Sequence, residues 1–335
     1  MKPNDFSGAR VLVTGGAGFI GSALVWGLNQ HGCDNIVVCD LLGTSEKWRN
    51  LTPLRFADYV ESEALLPRLQ SGALGKFDLV LHMGACSATT EKDSTYLIKN
   101  NYEFTKDLAG WSLANKTRFV YASSAATYGD GSAGMDDNES ILDALRPLNM
   151  YGYSKHLFDL HAKRAGFLNK IVGLKYFNVF GPNEDHKCDM RSLVHKSFAQ
   201  VQGEGVIRLF KSYRKEYKNG EQKRDFLYVK DCVAMTLHLA ATSRAKGLFN
   251  IGSGGARSWV DLANAVFIAL KKKPNIKFIE MPVTIRDKYQ YFTQANLLRL
   301  RGAGYTTPVT SLENAVFDYV RKYLLLDKRL DPSAA

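Results

Sequence analysis

No Cys-x-x-Cys pair occurs in this chain of 335 residues, and its five cysteines (Cys33, Cys39, Cys86, Cys188, Cys232) are odd in number and scattered. That pattern excludes a disulfide framework and a cysteine-held zinc site, and it fits free thiols in a reducing compartment. No metal is expected. The chain carries no repeat at a solenoid period and no low-complexity tract. The one compact run of like charge is Lys271-Lys272-Lys273, so the formal net charge of +11 is spread out rather than gathered on a stripe or tail. Nucleic acid is therefore not an expected partner. The charge has two readings, a solvated basic surface and an attraction for an anionic substrate. No secretory signal is visible around Lys2, Asn4 and Asp5, and a cytoplasmic location is expected. Residues 11–28 form an uncharged stretch long enough to resemble a membrane span. Its glycines (Gly15, Gly16, Gly18, Gly21, Gly27) and polar Thr14 and Ser22 fit a strand, a glycine turn and a buried helix better, so no membrane partner is expected.

What is present reads as an ordinary globular composition, 45% hydrophobic and 23% charged, in a chain long enough for two lobes. Apolar runs predict strands at 9–14, 35–40, 54–58, 77–83, 118–123 and 170–177. Helical patterns fall at 18–31, 62–70, 92–114 and 149–167. Strands alternating with helices imply right-handed crossovers and a parallel sheet covered on both faces. The expected fold is α/β: a Rossmann-type doubly wound parallel sheet with a smaller mixed α/β substrate-binding lobe. Residues 1–180 are assigned to the cofactor-binding domain, with about 225–252 returning to it. Residues 181–224 and 253–330 are assigned to the substrate-binding lobe, with a strand at 226–229 and a helix at 256–269.

The turn Gly15-Gly16-Ala17-Gly18-Phe19-Ile20-Gly21 follows the first strand and opens the first helix. Glycines there permit a tight turn and let the backbone approach a pyrophosphate, while the helix N-terminus favours its negative charge. Asp40, at the end of the second strand, stands at the distance expected for a carboxylate that bonds the adenosine ribose. NAD and NADP both stay open on these residues. Asp40 favours free ribose hydroxyls, whereas Lys47 and Arg49 could meet a 2′-phosphate or serve as plain surface cations.

In Tyr151-Gly152-Tyr153-Ser154-Lys155 the first and last residues share one helix face, and Tyr153 points elsewhere. A free tyrosine has a pKa of about 10, and a neighbouring ammonium with a cationic nicotinamide would lower it toward use as a base. Ser124 lies at the carboxyl end of a predicted strand, where sites form in open sheets, and its hydroxyl could bond the substrate oxygen that Tyr151 deprotonates. A Tyr-x-x-x-Lys alone is often a plain helix surface. Ser124, Tyr151 and Lys155 in this order at these sheet positions are more specific.

Thr14–Gly21, Ser124, Tyr151 and Lys155 resemble the extended short-chain dehydrogenase/reductase superfamily, as do Tyr176-Phe177-Asn178-Val179-Phe180-Gly181-Pro182, Arg224-Asp225-Phe226-Leu227-Tyr228-Val229 and Phe249-Asn250-Ile251-Gly252. The resemblance runs over residues 10–320. It narrows at His82-Met83-Gly84-Ala85-Cys86-Ser87-Ala88-Thr89-Thr90-Glu91, at 121–129, at His186-Lys187 and at 289–295. These stretches are similar to the ADP-glyceromanno-heptose 6-epimerase family.

That resemblance implies tightly bound NADP, recycled within each turnover, and an ADP-heptose nucleotide sugar inverted at C6″ through a 6-keto intermediate. It implies Tyr151 and Lys187 as paired acid/base groups, with Ser124 and Lys155 beside the tyrosine. Without it, Lys187 reads as a loop lysine. Carried over residue by residue, Gly15, Gly18, Phe19, Ile20, Gly21, Asp40, Leu41, Lys47, Met83, Gly84, Ala85, Cys86, Ser87, Asn100, Lys155, Val179 and Lys187 would line the cofactor. Asn178, Asp189, Lys196, Phe210, Arg224 and Tyr289 would meet the substrate, Arg224 as a diphosphate ligand. The family also implies a homo-oligomer, often a pentamer, in lipopolysaccharide heptose supply.

Departures from the family pattern are Asp189 and Lys196, where a serine and a histidine are often seen, Ser62 in place of a lysine, and a longer basic loop before Arg224. That loop reads either as a mobile capture device for a nucleotide diphosphate or as a solvated loop. Rival readings are a UDP-hexose 4-epimerase, which has no need for Lys187, and a non-catalytic cofactor-sensing protein on the same fold. Such proteins commonly lose the tyrosine or lysine, and this chain keeps both.

Overall fold

The computed structural model describes residues 5–286 and 289–333. Twelve strands are present among them: β1 Val11–Thr14, β2 Ile36–Asp40, β3 Asp58–Glu61, β4 Leu79–His82, β5 Arg118–Ser124, β6 Val172–Tyr176, β7 Asn178–Phe180, β8 Ile207–Phe210, β9 Lys223–Tyr228, β10 Gly247–Ile251, β11 Ala256–Ser258 and β12 Ile276–Ile279. Seven form one sheet in the order β10-β6-β5-β4-β1-β2-β3, and every pairing in it is parallel. The chain winds outward from β1 to β3, returns to β4 and winds out the other way. The order reverses between β1 and β4, which opens a crevice at their carboxyl ends.

Side-chain alternation along the strands sorts the interior into two layers. Val11, Val13, Ile36, Val38, Leu79 and Leu81 point to one face, against the helices Phe19–Gln30 and Val229–Ala241. Leu12, Val37, Cys39, Val80, Phe119 and Tyr121 point to the other. There they meet the helices Ser62–Gln70, Phe104–Ala114 and Met150–Arg164. Gly27 allows the first pair of helices to touch, since a Cβ there would come within 2.4 Å of a Val233 methyl. The first layer continues into the helices Trp259–Ala269 and Leu312–Lys322, so one apolar core runs from the central sheet to them.

Two small sheets, β11-β9-β7 and β12-β8, lie outside the seven-stranded sheet; of the segment 225–252, β10 joins the main sheet and β9 does not. β9 runs parallel to β7 and antiparallel to β11, which carries the Arg224 strand to the mouth of the crevice. Residues 11–28 form β1, the glycine turn and most of a buried helix. No helix among the described residues is long and apolar enough to cross a membrane. All five cysteines are free; Cys33, Cys39 and Cys232 are buried, and burial pushes the Cys33 thiol up to about 11.

Three local expectations shift. The third strand lies at 58–61 rather than 54–58, because Leu51 and Leu54 are buried from a turn that only looks strand-like. The helical pattern at 92–114 contains a π-helical turn, Ile98–Glu103. The helix expected from residue 256 starts at Trp259, after β11, where Ser258 and Asp261 form a capping box.

Candidate active site

The glycine turn at the end of β1 fits a dinucleotide for reasons of space. Gly15 has φ +66° and lies where a Cβ would come within 2.7 Å of the Gly84 nitrogen, and a Cβ on Gly21 would meet the Gly15 oxygen at 2.0 Å. The helix beginning at Phe19 has no side-chain cap at Gly18, which leaves its first N–H groups for an anion. Asp40 braces the turn: one carboxylate oxygen accepts the Ala17 and Gly18 N–H groups (2.9 and 3.1 Å). The other accepts the Leu41 N–H (2.7 Å) and the Lys47 ammonium (2.6 Å). Leu41 is exposed beside them.

Behind the turn runs a chain of buried polar groups. The Gly84 N–H donates to Thr14 Oγ1 (3.1 Å), and Thr14 Oγ1 lies 2.6 Å from His82 Nδ1. Thr105 donates to the Asn101 carbonyl (2.6 Å), so its hydroxyl oxygen is left to accept from His82 Nε2 at 2.8 Å. Burial pushes His82 down to about 3, with the Lys155 charge adding to it, so the ring is neutral and fits this relay. Asn101 then joins the Met83–Ser87 loop to the helix Met150–Arg164. It accepts the Cys86 N–H (2.8 Å) and donates to the Cys86 carbonyl and to Ser154 Oγ (both 3.0 Å).

A cleft of about 790 Å³ opens over the switch point, a size suited to a small-molecule ligand. Ser124, Tyr151, Lys155 and Lys187 all line it, with Phe19, Ile20, Met83, Ala85, Ser87 and Val179. Asn149 caps the helix Met150–Arg164 by accepting the Gly152 N–H (2.8 Å), which places Tyr151 in its first turn. Lys155 donates to the Ala122 carbonyl (2.9 Å), and burial pushes its ammonium down to about 8. Burial raises the Tyr151 phenol above its ordinary value, and the hydrogen bond with Ser124 pulls it partway back. Burial thus outweighs the lowering expected from the lysine alone.

Lys187 enters from the loop after β7. Its ammonium lies 5.2 Å from the Phe19 ring centroid. Burial lowers its pKa and Glu184 acts against that. Asn50 ties this loop to the glycine turn by donating to the Ala17 and Asn183 carbonyls, both at 3.0 Å.

The far end of the cleft is lined by Asn178, Lys196, Phe210, Arg224 and Tyr289. Arg224 is 6% exposed, and no carboxylate among the described residues pairs with it. Its guanidinium lies between two rings, 5.0 Å from Tyr289 and 5.6 Å from Trp259, and Trp259 Nε1 donates to the Tyr289 hydroxyl at 2.8 Å. A buried cation facing a cleft without a counter-ion is suited to an anionic ligand. The basic loop before Arg224 is tied down rather than loose. Lys211 pairs with Glu280 (2.6 Å), Arg214 stacks on Tyr291 (4.6 Å), and the Tyr213 N–H donates to the Tyr291 hydroxyl (2.9 Å).

Asn100 and Asp189 are engaged away from the cleft. Asn100 donates to the Tyr96 carbonyl (2.8 Å) because the π-helical turn brings Asn101 inward in its place. Asp189 is exposed, and its carbonyl accepts the Lys196 ammonium (2.6 Å), leaving Lys196 as the one of the two that reaches the cleft. Gly15, Gly18, Gly21, Gly84 and Cys86, in the glycine turn and the Met83–Ser87 loop, and Asp40, Leu41 and Lys47, around the carboxylate that braces the turn, are not among the lining residues. Trp259, Gln290 and Thr293 line the cleft and were not singled out from sequence. The Ser258 capping box marks where Trp259 begins its helix, but no local pattern marks Gln290.

Residues 11–252 match the model of the NAD dependent epimerase/dehydratase family. A protein of Nitratidesulfovibrio vulgaris named ADP-L-glycero-D-manno-heptose-6-epimerase is 52% identical over 314 residues, covering 93% of this chain and 97% of its own. One of the same name from Fusobacterium nucleatum is 44% identical over 324 residues, covering 94% and 98%. The crystal structure of the Helicobacter pylori ADP-L-glycero-D-manno-heptose-6-epimerase superposes with a TM-score of 0.80 at 26% identity, covering 95% of this chain and 96% of that one. The parallel sheet, the glycine turn at its switch point and these matches agree: the chain belongs to the NAD dependent epimerase/dehydratase family.

Proposed function

We propose that the chain inverts C6″ of ADP-D-glycero-β-D-manno-heptose to give the L-glycero form. The observation that carries this reading is that two side chains able to give and take a proton, Tyr151 and Lys187, line one cleft. It occurs in a chain half identical, over nearly its full length, to a relative of that name. An inversion needs proton transfer twice, once as the hydroxyl becomes a ketone and once as the ketone is reduced on its other face. One group suffices for a simple dehydrogenase; two, presented from different elements, suit the double task. Ser124 holds the reacting oxygen beside Tyr151, and Lys155 keeps its charge below the phenol. Arg224 anchors the diphosphate while the heptose end turns between the two groups.

A nicotinamide bound at the glycine turn would supply the hydride chemistry. We infer NADP as that cofactor. Lys47 supports this, since its ammonium pairs with Asp40 and offsets a carboxylate that would otherwise repel a 2′-phosphate. Mass spectrometry of the nucleotide released on denaturation tests the point, and Lys47→Ala is expected to shift the preference toward NAD.

The activity is tested by incubating the purified protein with the D-glycero substrate and no added reductant, following C6″ by NMR. A mixture of the two epimers is expected. If UDP-hexoses are converted and the heptose is not, the substrate assignment is wrong and the sheet and cofactor reading stands.

A further inference from the structure

Glu184 is fully buried, three residues before Lys187, and has no part in the chemistry above. Its carboxylate accepts the Ser192 N–H and the Ser192 hydroxyl, each at 2.6 Å, and faces the Gly181 N–H at 3.4 Å. Its carbonyl accepts the Lys187 N–H at 3.0 Å. Both ends of residues 181–192 therefore meet on one side chain, and Lys187 projects from the middle of the closed loop. Ser192 passes the constraint on by capping the helix Leu193–Glu204.

An amide could close this loop as well, and an ionised carboxylate is costly to bury. The charge therefore calls for its own explanation. Asp185 and His186 belong to the loop, and Asp40 and Lys47 face it from the end of β2. His195, Tyr319 and Arg329 face it from the helices and segment packed outside. Among all these, Glu184 alone acts as a negative charge on the Lys187 amine. No ion pair within 4.0 Å holds that amine among the described residues, so it stays free to reach a ligand.

We propose that Glu184 is the positioning residue of Lys187: its carboxylate closes the loop that presents the amine and stands as the counter-charge on that loop. The proposal rests on the acid/base reading of Lys187, and its test needs no substrate.

The test is trace acetylation of the full-length protein across a pH series, with Lys187 modification read by peptide mass spectrometry. In Glu184→Gln the labelling midpoint of Lys187 is expected to fall by about one pH unit. A purely structural role would open the loop, relieve burial and move the midpoint up; that result, or no shift, overturns the proposal. Ser192→Ala keeps the charge and removes one clamping bond, and it decides the matter if Glu184→Gln does not fold. Severalfold faster labelling of Lys187 at fixed pH is expected, and an unchanged rate overturns the clamp. A lowered midpoint in a protein that does not convert the heptose would sink the proposed activity and leave this inference standing.

Discussion

The Tyr151 and Lys187 sides of the cleft are built by different means. Tyr151 and Lys155 share a helix, and Ser124 ends a strand of the central sheet. Beneath them the buried pair Lys175–Asp159 (2.7 Å) fixes both elements. Asp159 also accepts Tyr121 and Ser123 from β5 (both 2.8 Å), and Lys175 donates to Thr127 (2.7 Å), whose hydroxyl bonds the Ser124 carbonyl (2.8 Å). Lys187 has no such framework. It sits in a loop held by side chains: Glu184 at its ends, Asn50 across to the glycine turn, and Arg191 to the Cys188 carbonyl (2.7 Å). Cys188 even adopts φ +47°, a region most residues avoid. One side is specified by regular secondary structure, the other by a few hydrogen bonds that no periodicity announces.

Substitutions can break or sharpen that contrast. The largest effect is expected for Tyr151→Phe, which should lower turnover by about 10³-fold with cofactor still bound. Retained turnover would leave the helix side without its acid/base group. Lys187→Met should cost about 10²-fold, again with normal cofactor content. A cofactor-free protein would make that lysine a cofactor ligand first. Activity should also decline as pH rises through about 8, where Lys155 loses its proton. The sign follows from burial, which favours the neutral amine, so the ammonium is the form present below that pH. Arg224→Lys should raise KM about tenfold with a smaller change in kcat, because the planar fork and its stacking are lost while the charge stays. The smallest effect is Cys188→Gly, which should stabilise the fold by about 1 kcal/mol through relief of the positive φ. A lowered melting temperature would show that the cysteine side chain, not the loop clamp, holds this conformation.

The same contrast explains what was legible in the sequence. The glycine turn, Asp40, Ser124 and the Tyr151–Lys155 pair follow from strand ends and helical spacing, which depend on local order. Lys187 carried no local signal and came only with the family resemblance. Asn100 came with the family resemblance; that the neighbouring Asn101 is the fully buried one follows from a π-helical turn, which an ordinary helical period cannot show. Asp189 was carried over from a family position, but here its carbonyl, not its side chain, is engaged. Glu184, Asp159 and Lys175 were missed because a buried charge looks like a surface charge until its partners are brought together from distant parts of the chain.

The central claim is that one hydride leaves C6″ and returns to it while two protein groups exchange the proton. Substrate deuterated at C6″ tests it directly, with the epimer formed in ordinary water analysed by NMR and mass spectrometry. The account predicts inversion with the deuterium retained at C6″. Exchange of that deuterium for solvent hydrogen would contradict it, since it would mean that the C6″ hydrogen departs as a proton.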